Sequence, residues 1–315
     1  MKAAGETGKM QTVLLKAGSF VLVIAAGYLL KKTGLFKTGE NRTIMKLIMN
    51  VTLPAAVITS FSSYERDFSL ISVFFLGFLL NIIMVSIGYF SAKSKDKGDR
   101  AFNMINYSGY NIGTFAMPYL QSFLGNSGII TACLFDSGNA VMCTGVTYAA
   151  ASAVAGKSDG KGVKGILKKL VSSVPFDVYM IMMILYICNI HFPNQVFTIT
   201  GVFGSGNAFL AMFMIGGALE FCTDKKKLKS ILKVLIVRYG TAACLAAALY
   251  YFLPFTQEIK MILVIIVFAP ISSMGVINTE RIKGDTERAG MINSMSILIS
   301  LAVMTGLVCV WKLGQ

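Results

Sequence analysis

NIGTFAMPYL, residues 111–120, sets an asparagine, a glycine and a proline inside an apolar stretch long enough to cross a bilayer. Proline brings no amide donor and clashes with the preceding turn, at roughly 3 kcal/mol in a helix interior. Glycine weakens a helix by about 1 kcal/mol more. Backbone groups freed in hydrocarbon cannot turn to bulk water, so they need partners inside the protein or in a cavity. Asn111, Gly113 and Pro118 therefore mark a span that is broken for a reason.

The rest of the chain supplies the membrane around that break. Of its 315 residues 55% are hydrophobic and only 14% charged, against about 25% charged in a soluble domain. The mean hydropathy is +0.68. With roughly 20 apolar residues needed per helical span, ten spans are read at about 13–31, 43–62, 69–91, 101–121, 127–155, 166–190, 195–222, 230–252, 259–279 and 289–311. Stretches such as SFVLVIAAGYLL (19–30) and MILVIIVFA (261–269) are apolar all round. They lack the period-two alternation of membrane β-strands. The expected class is an all-α polytopic membrane protein. Its first apolar run ends in KKTGLFK rather than a cleavage site, so it reads as a retained helix.

Ten spans put alternate loops on opposite sides of the membrane. Twenty-two of the 29 Lys and Arg fall on one side, in five loops from Lys31 to Arg288. Positive loops stay cytoplasmic, which places both termini outside and the chain in the cell membrane. Retention of these loops explains the net charge of +14 without nucleic acid, and leaves the lysine clusters beside membrane lipid. The six cysteines are scattered, with no metal-ligand spacing, so neither metal nor disulfide is expected.

The Gly- and Lys-rich loop GKSDGKGVKG (156–165) divides the chain into five spans (1–155) and five (166–315). An odd number makes the second half enter from the opposite face, which is the layout of an inverted repeat. The fourth span then needs a counterpart, and the ninth supplies one: VFAPISSMGVIN (267–278), with Pro270, Ser272, Ser273, Gly275 and Asn278. Matched interrupted spans point to a transporter site. Two broken helices crossing near mid-membrane leave N-termini suited to an anion and carbonyl ends suited to a cation.

Within that frame Asn111 reads as a substrate-contacting amide or as a cap on the broken helix, and Ser272 and Ser273 hold the equivalent place in the second crossing. Asp136, beside Ser137 and near Asn139 in the fifth span, is an acid at a span centre. Such acids serve ion or proton paths; the alternative is a structural hydrogen bond. Arg238, inside the eighth span, reads as a partner of Asp136, as an attractor of the anion, or as a side chain snorkelling to the boundary.

The motifs NVTLPAAVITSF (50–61), NIGTFAMP (111–118), GGAL (216–219) and APISSMGVINTERIKGD (269–285) resemble, in this order, those of the auxin efflux carrier family of permeases. The resemblance implies crossed spans 4 and 9; the reading of the crossing itself sets Asn111, Gly113, Ser272 and Ser273 about the substrate. It implies a scaffold of spans 1, 2, 6 and 7 and a transport domain of spans 3–5 and 8–10 that moves in an elevator-like manner. The cargo implied is a small organic anion, such as malonate or malate in bacterial members. The short central loop, and ITSFSS (58–63) without the acidic residue of plant members, argue against auxin. A sodium-coupled bile-acid-type carrier and a non-transporting sensor stay open. Small residues in spans 2 and 7 suit a homodimer contact. No enzyme is expected, because the lone histidine, His191, sits in a loop and no HExxH or GxSxG occurs. Nor does any nucleotide motif, so ATP is not expected as the driving force; no cofactor is expected, and coupling to a proton or sodium gradient, or uniport, stays open.

Overall fold

The computed structural model describes residues 2–36, 38–63, 70–92, 96–157, 162–220 and 225–313. Lys37, Arg66, Lys93, Lys95, Lys161 and Cys222, and loop residues 158–161, lie outside them. Every element among the described residues is helical, apart from one isolated antiparallel bridge between Tyr110 and Ile271.

Among the described residues seven helices are long and apolar enough to cross a membrane: Gln11–Lys32, Gly39–Ser60, Ile71–Ser91, Ile112–Val154, Asn194–Ala218, Lys227–Phe252 and Thr286–Val310. Lys164–Leu170 and Val174–Cys188 make an eighth if taken together as one span bent by 81°. The difference from the ten spans expected has a physical reason at each place. Ile112–Val154 holds 43 residues, about 65 Å of helix against a hydrocarbon core of about 30 Å. Gly125, at φ 57° and ψ −138°, turns the chain within it. It thus carries the end of the fourth expected span and the whole of the fifth. The ninth is split into Gln257–Val267 and Met274–Arg281, each too short to pass alone. The sixth bends just before Pro175, which opens the helix Val174–Cys188.

Glycines set the closest helix approaches, as expected where packing rather than the hydrophobic effect joins helices. A Cβ at Gly27 would lie 2.2 Å from the Phe213 carbonyl oxygen, and one at Gly216 2.0 Å from that of Ile24. Gly77 and Gly138 repeat the arrangement against Phe135 and Phe74, at 2.1 and 2.0 Å. Outward faces stay apolar, with Leu22, Val202 and Phe90 exposed.

Two helical segments are interrupted, and their gaps meet. The first runs Lys97–Tyr107, leaves the helix over residues 108–111, and resumes at Ile112. The second runs Gln257–Val267, breaks over residues 268–273, and resumes at Met274. At the meeting point the Asn111 amide donates to the Pro270 carbonyl at 2.8 Å, and the Ser272 amide to that of Gly109 at 3.4 Å.

Buried backbone groups need partners, and side chains supply the others. The Gly109 amide donates to Asn81 Oδ1 (2.7 Å) and the Tyr110 amide to Asn139 Oδ1 (3.1 Å), while the Tyr110 carbonyl accepts from Asn139 Nδ2 (2.9 Å). In the second gap the Ile271 amide donates to Ser296 Oγ (3.1 Å), and the Ile271 carbonyl accepts from Asn293 Nδ2 (2.6 Å). Ser300 Oγ donates to the Phe268 carbonyl (2.6 Å). Gly109, at φ +79°, takes the left-handed turn that starts the first gap.

Two sequence expectations about the breaks are corrected. Pro118 does not mark the place where the chain leaves the helix. It sits in the first turn of the helix starting at Met117, and the wider π-helical turn Ile112–Ala116 precedes it. Gly275 likewise lies inside the helix Met274–Arg281, with no atom closer than 3.8 Å to a Cβ built there. Pro270 does lie in its gap.

Candidate functional site

Beside the crossing is a cavity of about 210 Å³. Asn111, Gly113, Asp136, Asn139, Ser272 and Ser273, six positions singled out from the sequence, all line it. Pro118, Pro270, Gly275 and Arg238 do not. Opposite those six positions the wall comes from the span Gly39–Ser60, through Met45 and Met49, and from the start of the bent sixth segment, through Pro175, Phe176 and Tyr179.

Three five-residue π-helical turns contribute to this wall: Ile48–Thr52 through Met49, Ile112–Ala116 through its first three residues, and Met142–Val146 through Cys143 and Thr144. Such turns disturb the regular ladder and occur frequently at functional sites. Two helix starts open on the same space, with Ile112, Gly113 and Thr114 from one and Ser272, Ser273 and Met274 from the other. At the second start the Met274 amide donates to Ser272 Oγ at 3.3 Å, and the Gly275 and Val276 amides to the Ser272 and Ser273 carbonyls; the dipoles of both starts favour negative charge.

Asn111 is 8% exposed. Its Oδ1 accepts from the Thr114 hydroxyl at 2.5 Å, and its carbonyl accepts from the Ala116 amide. Its side chain makes no capping bond, and no acceptor among the described residues engages its Nδ2. Gly113 keeps the wall open: a Cβ there would meet Leu53 at 3.1 Å, the Tyr179 hydroxyl at 3.4 Å and Asp136 Oδ2 at 3.5 Å.

Asp136 Oδ1 accepts from Asn139 Nδ2 (2.8 Å) and Oδ2 from the Tyr179 hydroxyl (3.2 Å). Asn139 is fully engaged. Its oxygen accepts from Asn81 and the Tyr110 amide, and its nitrogen serves the Tyr110 carbonyl and Asp136. It positions the first gap and the acid at once.

Arg238 neither snorkels nor pairs with Asp136. At 1% exposure it is buried, and it forms no salt bridge with any described carboxylate. Nη1 donates to the Tyr107 carbonyl at 2.8 Å and Nη2 to that of Gly109 at 3.2 Å, while its guanidinium lies 4.2 Å from the Tyr110 ring centroid.

Sequence reasoning missed Tyr110, Tyr179, Cys143 and Asn81. Asn81, in LGFLLNIIMV (76–85), carried a usable signal, being a lone amide in an apolar span. The tyrosines carried none, because aromatic residues are ordinary packing material. No group of three or more metal-ligating side chains occurs among the described residues.

Residues 16–160 match the family described as membrane transport protein. The chain is also similar to an uncharacterized transporter of Methanothermobacter thermautotrophicus, 23% identical over 255 residues that cover 79% of this chain and 80% of the relative.

Proposed function

We propose that the chain is a membrane permease akin to the auxin efflux carriers and, on that reading, a secondary carrier of small organic anions, carboxylates such as malonate or malate. The observation that carries this reading is the convergence of two helix starts on one cavity that also holds Asn111 and Ser272. Helix N-termini bind carboxylates through free amides and the positive end of the dipole. In transporters with broken helices they face anionic groups of the cargo. A volume of about 210 Å³ is below the roughly 300–1,000 Å³ of drug-sized ligand sites. It suits a short carboxylate better than a bile-acid-sized amphipath.

The transport cycle follows from where the cavity lies. Broken segments and Asp136 form one wall, and the second and sixth expected spans form the other. In this reading ten spans form two inverted repeats. Spans 3–5 and 8–10 slide against a scaffold of spans 1, 2, 6 and 7, carrying cargo held at the boundary. The Tyr179–Asp136 hydrogen bond crosses that boundary and breaks as the domains slide. Asp136 couples the movement to a gradient. An anion in the cavity and a bare carboxylate repel by about 4 kcal/mol at 4 Å and an effective dielectric of 20, so loading goes with a proton or a cation on Asp136.

Counterflow in proteoliposomes tests the reading, with labelled mono- and dicarboxylates and with or without imposed proton or sodium gradients. Exchange of one carboxylate, accelerated by one gradient, is the expected result. No exchange across the panel by well-folded protein removes the carboxylate assignment. For the site, Asn111→Ala is expected to weaken apparent affinity about ten-fold or more, as for a lost hydrogen bond to a charged group, with membrane insertion intact. Unchanged affinity takes Asn111 out of the site.

A further inference from the structure

Broken helices in carriers leave carbonyl ends in the membrane where a coupling cation can sit. Here that place is taken by a side chain. The half-helix Lys97–Tyr107 ends on the Tyr107 carbonyl, and the turn that follows exposes the carbonyl of Gly109. Both accept from one guanidinium, that of Arg238, at 2.8 and 3.2 Å. The Tyr110 ring covers the same guanidinium at 4.2 Å, close enough for attraction by the ring face.

We infer that Arg238 is the resident cation of the first half-helix end, tethered by the eighth expected span, and that no sodium ion is bound at this crossing. The inference deepens the carrier reading above and rests on it, because it concerns which ion drives the cycle. The guanidinium supplies a cation that is part of the chain itself. No described carboxylate pairs with it. Its compensation is therefore the two carbonyls, the negative end of the helix dipole and the aromatic face. These are the groups that would otherwise coordinate an incoming metal ion.

In the second gap two carbonyls meet neutral donors instead. At the end of Gln257–Val267 the Phe268 carbonyl accepts from the Ser300 hydroxyl at 2.6 Å, and the Ile271 carbonyl from the Asn293 amide at 2.6 Å. Both donors are neutral. The guanidinium is thus particular to the first crossing. It lies outside the cavity wall, so it fixes the ion requirement without occupying the cargo's space.

Thermal unfolding in detergent tests this apart from transport. The wild-type midpoint is expected to be equal in sodium chloride and choline chloride of matched ionic strength. Arg238→Ala is expected to melt lower and to regain about 2 °C or more in millimolar guanidinium, as binding to a vacated site requires. Arg238→Lys, which keeps a charge there, is expected to show no such gain. A sodium-specific rise in the wild-type midpoint overturns the inference whether or not any variant folds. Folded Arg238→Ala that responds to neither guanidinium nor sodium overturns it too. Failed carboxylate counterflow alongside intact guanidinium rescue removes the cargo assignment and leaves Arg238 as the resident cation.

Discussion

Asp136→Asn is expected to abolish the gradient dependence of counterflow while gradient-free exchange continues. The substitution keeps shape and removes charge. The new side chain's oxygen still accepts from Asn139, and its amide can donate to the Tyr179 hydroxyl, so both native contacts at 2.8 and 3.2 Å have replacements. What it loses is the ability to exist in charged and neutral forms. With a proton as the coupling ion, a one-unit pH difference is worth about 1.4 kcal/mol, or about ten-fold accumulation. The variant is expected to accumulate nothing, and gradient-driven uptake by the wild type beside gradient-free exchange by both measures this. A fully retained gradient response makes Asp136 a structural hydrogen-bonding residue instead.

Gly138→Val is expected to have the largest effect on folding. A Cβ at this position would lie 2.0 Å from the Phe74 carbonyl oxygen and 2.8 Å from the Phe78 amide nitrogen, both backbone atoms within a helix. Backbone cannot rotate away as a side chain can, so the helix Ile71–Ser91 must move as a body. That movement pulls Asn81 from Asn139 and from the Gly109 amide, which are held at 3.0 and 2.7 Å. Overpacking of 1–3 kcal/mol and stranded polar groups of 1–3 kcal/mol each then combine, for a loss of about 3 kcal/mol or more. Size-exclusion profiles after detergent extraction should show little monodisperse protein. Gly240→Val, in the helix Lys225–Phe252, is the control: no neighbouring element comes within 4 Å of a Cβ built there, and it should behave as wild type. Equal behaviour of the two variants means the helices tolerate separation, and the packing account is wrong.

Six wall positions were legible because membranes make polarity conspicuous. Asn111 and Asp136 stand out in apolar runs, and the serines follow Pro270 where a helix cannot continue undisturbed. The location of the first break was less legible. Pro118 is the stronger breaker by composition, yet a wide turn and a helix start absorb its missing donor. The chain leaves the helix earlier because Asn81, Asn139, Arg238 and Pro270 converge on residues 107–111 from other parts of the chain. No local pattern records such convergence. Arg238 shows the same limit. Its span suggested an edge position, whereas its partners are carbonyls about 130 positions away in sequence. A length criterion also passes over a segment divided by a gap, as between Gln257–Val267 and Met274–Arg281.

The bond between the Asn111 amide and the Pro270 carbonyl bears on how the chain is made. At roughly 5–20 residues per second, Pro270 leaves the ribosome on the order of ten seconds after Asn111. Through that interval the first gap sits in the nascent chain without its final acceptor, and Arg238 arrives late as well. Asn81, by contrast, precedes the gap and is present from the start. Asparagine staples within the first half thus shelter the opening until the second half closes it. A chain stalled or cut near the central loop would present that half-paired gap to quality-control proteases, so truncated products should be cleared faster than the intact protein.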